Sequence, residues 1–87
     1  MLEDFLQQQV VIDLRSPYVC LGTLTSLDDT YLVLSDADLH DLRDTHTSRE
    51  NYVAAAKATG IKINRQHVLV VRADMAAIAR LKDVVEA

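Results

Sequence analysis

From Val10 to Leu39 the chain alternates apolar and polar positions or runs apolar residues together in short blocks: VVIDLRSPYVCLGTLTSLDDTYLVLSDADL. Three strand-length runs are separated by Ser16-Pro17 and by Asp28-Asp29-Thr30. The first, Val10 to Arg15, puts Val10, Ile12 and Leu14 on one side and Val11, Asp13 and Arg15 on the other. Pro17 cannot donate to a sheet ladder and suits the turn that follows. The second run, Tyr18 to Leu27, carries Tyr18, Cys20, Gly22 and Leu24 on one side. Its other side carries Val19, Leu21, Thr23, Thr25 and Leu27. It is long for a strand, and Gly22 at its centre marks a bend, a bulge or a close backbone approach. The third run extends from Tyr31 to about Leu39. Alternation puts Tyr31, Val33, Ser35 and Ala37 on one side and Leu32, Leu34, Asp36, Asp38 and His40 on the other.

Outside this block the pattern changes. Leu2, Phe5 and Leu6 stand at helical spacing and predict a short helix over residues 2–9. Two turns do not hold alone, so this helix should lie on the open end or edge of the sheet. The polar segment HDLRDTHTSRE ends in Thr47-Ser48-Arg49-Glu50, a capping-box pattern in which Thr47 would bond the Glu50 amide. A helix should follow through Thr59, stopped by Gly60 at the C′ position. Its apolar face (Tyr52, Val53, Ala56) is small, which predicts loose packing or contact with a partner chain. Ile61 to Arg72 returns to strand, and its block His67 to Arg72 reads as buried on both faces. The last segment, Asp74 to Ala87, is helical by propensity. A short strand around Met75 to Leu81 would instead cover an exposed sheet edge.

Composition narrows the function. Eighty-seven residues read as one small domain, 1–87, which buries a modest share of its surface and gains from oligomerisation. No apolar run approaches the roughly 18 residues of a membrane span. The opening MLEDFLQQQ lacks the basic start of a signal peptide. The single cysteine, Cys20, excludes an intrachain disulfide and a Cys-rich zinc site, and reads as a small buried hydrophobe. A cytoplasmic protein is the simplest expectation. Two glycines leave no phosphate-cradling or dinucleotide-binding loop, and no Ser, Thr or Cys stands in a nucleophile motif. The chain is therefore expected to be neither an enzyme nor a cofactor carrier. Asp36, Asp38 and His40, with His46 nearby, have the chemistry of zinc or manganese ligands. Polar residues at an exposed strand end are the commoner case, and no metal site is assigned.

The net charge of −4 argues against a coat protein that neutralises many phosphates. The charge is uneven, however. Residues 28–44 hold Asp28, Asp29, Asp36, Asp38, Asp41 and Asp44 against Arg43, whereas basic residues dominate from Arg49 to Lys82. A local positive field is compatible with the acidic total. Arg49, Lys57, Lys62 and Arg65 around the second helix form either a positive rim or an ordinary solvated face.

In sequence order these pieces resemble the Sm/Sm-like (Lsm) family. Its first motif is matched by Val11 to Leu14, Gly22-Thr23-Leu24, Leu27-Asp28, Leu32-Val33-Leu34 and Asp36-Ala37. Its second is matched by Leu69-Val70-Val71-Arg72-Ala73 followed by Met75 to Ile78. The N-terminal helix also has a family counterpart. About 42–62 is an insert between the third and fourth strands, where family members vary in length. The resemblance implies a mainly β fold: a small, strongly bent five-stranded antiparallel barrel with an N-terminal helix and an inserted helix. It further implies that the fourth strand of one subunit pairs with the fifth of the next. The result is a homo-oligomeric ring of about five to seven subunits.

In the family, single-stranded RNA, often U- or A-rich, binds at the ring pore. Carried over by position, the RNA-binding residues are Asp28, Asp29, Tyr31, Arg72 and Asp74. Tyr31 stands where the family usually has a base-reading Asn, the turn at Asp28 is about one residue shorter, and Ala73 replaces the second-motif Gly. A tyrosine there offers a base-stacking surface. Arg72 reads either as an RNA contact, since its guanidinium both stacks and forks, or as a strand-end arginine paired with Asp74. The alternative function is an assembly module that recruits protein without RNA, with the inserted helix as its docking surface.

Overall fold

The computed structural model describes residues 1–44 and 46–85. Thr45 of the insert and the last two residues of the final segment lie outside them. Five strands form one antiparallel sheet in the order β4-β3-β2-β1-β5: β1 (Gln9–Leu14), β2 (Tyr18–Leu27), β3 (Tyr31–Asp41), β4 (Arg65–Val71) and β5 (Met75–Arg80). The helix α1 (Arg49–Thr59) is inserted between β3 and β4. The mainly β, five-stranded antiparallel architecture with an inserted helix is thus as expected. The final segment enters β5 rather than a helix, because Val10, Ile12 and Asp13 of β1 offer it a ladder.

The sheet curls around an inner core of Val10, Ile12, Cys20, Leu24, Leu32, Leu34, Ala37 and Val70. Leu2, Phe5 and Leu6 close one end of it. The N-terminal helix is shorter than the spacing predicts, a 3-10 turn over Leu2–Phe5. Gln7 turns the chain with φ 65°, its amide donates to the Leu24 carbonyl (2.7 Å), and the Gln8 carbonyl accepts from Leu24 (3.1 Å). The ladder therefore takes residues that the apolar spacing assigned to the helix. Arg80 locks this end. It donates to Gln8 Oε1 (2.7 Å) and the Asp4 carbonyl (3.1 Å), and lies 4.7 Å from the centre of the Phe5 ring.

Two bulges correct the predicted faces. Opposite Gly22, β3 carries one extra residue, with Asp36 in the left-handed region at φ 48°. The alternation resets there: Leu32 and Leu34 face the core, Asp36 is exposed, and Ala37 turns inward. Gly22 permits the close approach, since a Cβ on it would stand 3.0 Å from Ala37 Cβ and 3.1 Å from the Ser35 carbonyl oxygen. The second bulge gives β2 an extra residue at Thr25, whose hydroxyl donates to the Val33 carbonyl (3.2 Å). Past it, Leu27 packs on the inner core rather than on the face of Val19 and Leu21.

An outer core forms where α1 covers the sheet. Val53 and Ala56 pack with Val11, Val19, Leu21 and Leu81. The helix face expected to be loose or to meet a partner is thus buried on the chain's own sheet. Ser48, not Thr47, is the N-cap, its oxygen accepting from the Asn51 amide (3.1 Å). Gly60 does end the helix, at φ 99°, with its amide donating to Ala56 (2.8 Å). Strand β4 differs most from expectation. It is an edge strand, only Val70 is buried, and Leu69 is 64% exposed. A run of β-branched residues signals burial, but within one copy of the chain β4 has one neighbour, β3.

Candidate nucleic-acid interface

The turn between β2 and β3 and the connection between β4 and β5 meet at one end of the sheet. Asp28 builds the first. Its carboxylate accepts from the amides of Thr30 (2.8 Å) and Tyr31 (2.7 Å), and its own amide donates to the Tyr31 carbonyl (3.0 Å). These bonds, the Tyr31 amide first, hold the Asp28 carboxyl below its ordinary range, with a smaller contribution from Arg72. The second connection is a 3-10 turn over Arg72–Asp74. Arg72 ties the two together: its amide donates to the Thr30 carbonyl (2.8 Å) and its guanidinium to the Asp28 carbonyl (2.6 Å). Tyr31 lies opposite Val71 in the β3–β4 ladder and is 42% exposed.

The arrangement brings together Asp28, Asp29, Tyr31 and Arg72. It offers an exposed aromatic face, a positioned guanidinium with further donors, and two exposed carboxylates. Arg72 reaches the Asp28 carbonyl across the sheet end, and among the described residues it forms no ion pair with Asp74. Asp74 is held differently. Its carbonyl accepts from the Arg15 amide (2.8 Å), and it borders a cavity of about 640 Å³ that runs along β4 past Leu14, Tyr18 and Leu39. Ala73 fits this turn without the glycine of the family motif, because it has no positive φ.

A second polar group lies under α1. Asp38, 2% exposed, accepts from the Tyr52 hydroxyl and from Asn64 Nδ2 (3.0 Å). The His40 ring stacks on Tyr52 with centroids 3.9 Å apart, and its buried Nε2 has no hydrogen-bond partner. Burial, and then the bond to Asp38, push the Tyr52 phenol well above its ordinary range. Asn64 also exchanges bonds with the backbone of Leu39 (3.0 and 3.2 Å), extending the sheet by side chain before β4 begins. Sequence reasoning missed Tyr52 and Asn64, since nothing local says which β3 residue they meet. It grouped Asp36 with Asp38 and His40, but the bulge separates Asp36 from them. Among the described residues no cluster has metal-ligand geometry.

The remaining candidates have structural partners. Arg49 pairs with Asp13 (2.9 Å), Lys57 donates to the Val84 carbonyl (2.6 Å) and Arg65 to the Asn64 carbonyl (3.1 Å), while Lys62 is exposed. Cys20 is fully buried, and desolvation first, then the charge of Asp38, push its thiol up to about 11. Among the described residues no helix is long and apolar enough to cross a membrane.

No protein-family model and no curated protein matches the chain. Solved structures do. A Pyrococcus abyssii Sm protein in complex with a uridine heptamer is 16% identical over 90% of this chain and 89% of that one, with TM-score 0.61. A chain of the NatC complex bound to CoA is 20% identical over 97% of this chain and 88% of that one, with TM-score 0.62. With the five-stranded antiparallel sheet, its N-terminal turn and its helical insert, these likenesses identify the fold of this chain as Sm-like.

Proposed function

We propose that the protein is a ring-forming, Sm-like binder of single-stranded RNA, with Asp28, Asp29, Tyr31, Arg72 and Asp74 around the pore. The observation that carries this reading is the junction of Arg72 with the Asp28 turn, beside the exposed Tyr31 ring. A base stacks on Tyr31, Arg72 takes a phosphate or a second base face, and the acidic groups accept from base edges. The likeness to a uridine-bound Sm protein supports it. Binding here needs no catalytic group.

Ring closure is supported by the two free sheet edges, β4 and β5. Exposed Leu69 and Val71 and the apolar cavity along β4 suit an added strand from another copy. Titration with oligo-U and oligo-A at several salt concentrations tests the RNA reading. Saturable binding that weakens with salt is expected, and no binding to either strand at low salt overturns it.

The second reading, a protein-recruiting module without RNA, is favoured by the net charge of −4, by Tyr31 in place of the family Asn, and by the likeness to a chain of a multi-subunit complex. Its docking surface is not the apolar helix face, which the sheet already covers. Pull-down with and without nuclease separates the two readings: partners that survive nuclease support the second.

A further inference from the structure

Little apolar burial holds α1 on the sheet. Of its eleven residues Val53 and Ala56 alone are buried, and six are exposed. A helix of this length does not persist by itself in water, so its ties to the sheet and to the segment after β5 matter. Among the described residues three polar ties do this. Arg49 pairs with Asp13 of β1 at 2.9 Å, with both side chains partly exposed, and Lys57 donates to the Val84 carbonyl at the surface. Water competes for both. The third tie runs from the Tyr52 hydroxyl to the buried Asp38 carboxylate of β3.

The polar groups beneath α1 are poorly served by its presence. Asp38 forms no ion pair among the described residues and relies on two neutral side-chain donors, Tyr52 and Asn64. A buried carboxylate without a counter-charge is costly, and so is the unpartnered Nε2 of His40 against Tyr52. Lifting the helix gives both groups to water. The way in is already open in part. A cavity of about 50 Å³ lies beside Asp38, bordered by Tyr52, Ala55, Thr59 and Lys62, and a cleft of about 190 Å³ separates the other flank of α1 from β5. The apolar contribution opposes this, since lifting uncovers Val11, Val19 and Leu21. No residue of α1 belongs to the inner core or to the strand ladders.

We propose that α1 is a detachable cover. It lifts and unwinds as one unit while the five-stranded sheet stays folded, and in lifting it uncovers Val11, Val19 and Leu21. Gly60, at φ 99° and with open space around it, is the joint on the β4 side.

Native-state amide exchange on the full-length protein tests this, read residue by residue by NMR at several denaturant concentrations below unfolding. The amides of α1 are expected to exchange about tenfold faster than those of the β1–β2 ladder, or more, and with a weaker dependence on denaturant. A local opening exposes less surface than global unfolding does. Amides of α1 that share the rate and the denaturant dependence of the ladder overturn the proposal. A variant gives an independent readout. Ile12 belongs to the inner core and not to the outer one. Ile12→Val should speed ladder exchange severalfold and leave α1 exchange unchanged. If the α1 rates rise in step with the ladder, the helix leaves only when the sheet unfolds, and the cover is overturned.

Discussion

The guanidinium of Arg72 donates to the main-chain carbonyl of Asp28 across 44 residues of sequence, at 2.6 Å. That bond joins the turn before β3 to the turn before β5, and makes one surface from two loops that sequence alone sets far apart. Because Arg72 engages main chain, its guanidinium can hold the turn and still present donors outward.

Arg72→Ala should weaken RNA binding by about 1–3 kcal/mol, as loss of one stacking or charged contact does. Unchanged affinity for oligo-U, measured by anisotropy at one fixed salt concentration, would remove Arg72 from the site. Tyr31→Ala should show a loss of similar size, and Tyr31→Phe should retain most of the binding, because stacking needs the ring rather than the hydroxyl.

Gly22→Ala should destabilise the fold by about 1–3 kcal/mol. The added methyl meets Ala37 Cβ at 3.0 Å and Ser35 main chain at 3.1 Å, and the backbone must move to admit it. Denaturant unfolding reads the change. A variant as stable as wild type would show that the β3 bulge is softer than its geometry.

Tyr52→Phe leaves the buried Asp38 carboxylate with Asn64 as its remaining side-chain partner, and should cost about 1–3 kcal/mol. His40→Phe keeps the stack on Tyr52 and deletes a buried nitrogen that has no partner. It should be neutral or stabilising by up to about 1 kcal/mol. Opposite signs for these two variants in thermal unfolding are the expected pattern.

Stability should fall on the alkaline side. Folding raises the Tyr52 phenol above its ordinary 10.0 and the Cys20 thiol from 9.0 to about 11, in both cases because burial disfavours the anion. Groups raised in this way contribute stability fully below their ordinary values and lose it as pH climbs through the raised ones. The Tm should therefore begin to drop above about pH 9. At the acid end the depressed Asp28 works the other way. Its turn is held at neutral pH and loosens as pH falls below its ordinary 3.8. A Tm that stays flat to pH 11 would contradict the raised values.

The strands were legible because their signals are local. Alternation located β2 at both ends, Pro17 and the Asp28 turn separated the hairpins, and Gly60 stopped α1. The Gly22 position was legible as special, though not which partner crowds it. The misses are tertiary. A bulge at Asp36 shifts every later β3 side chain by one position, and no residue type announces it, since an aspartate tolerates positive φ without requiring it. The burial of Val53 and Ala56 depends on where a weakly apolar helix lands. The exposure of β4 runs against its apolar, largely β-branched block, because β4 is an edge strand with β3 as its neighbour in the chain's own sheet. In the candidate interface, the meeting of Asp28 with Arg72 followed from the resemblance to the Sm family, whereas the Asp38, Tyr52, Asn64 and His40 group had no sequence signal.

Ring formation is the claim on which the pore site depends. Static light scattering on the purified chain at micromolar concentration tests it directly. The account predicts a single species of about five to seven times the 9.7 kDa chain mass, and a particle of 9.7 kDa that persists as concentration rises would contradict it.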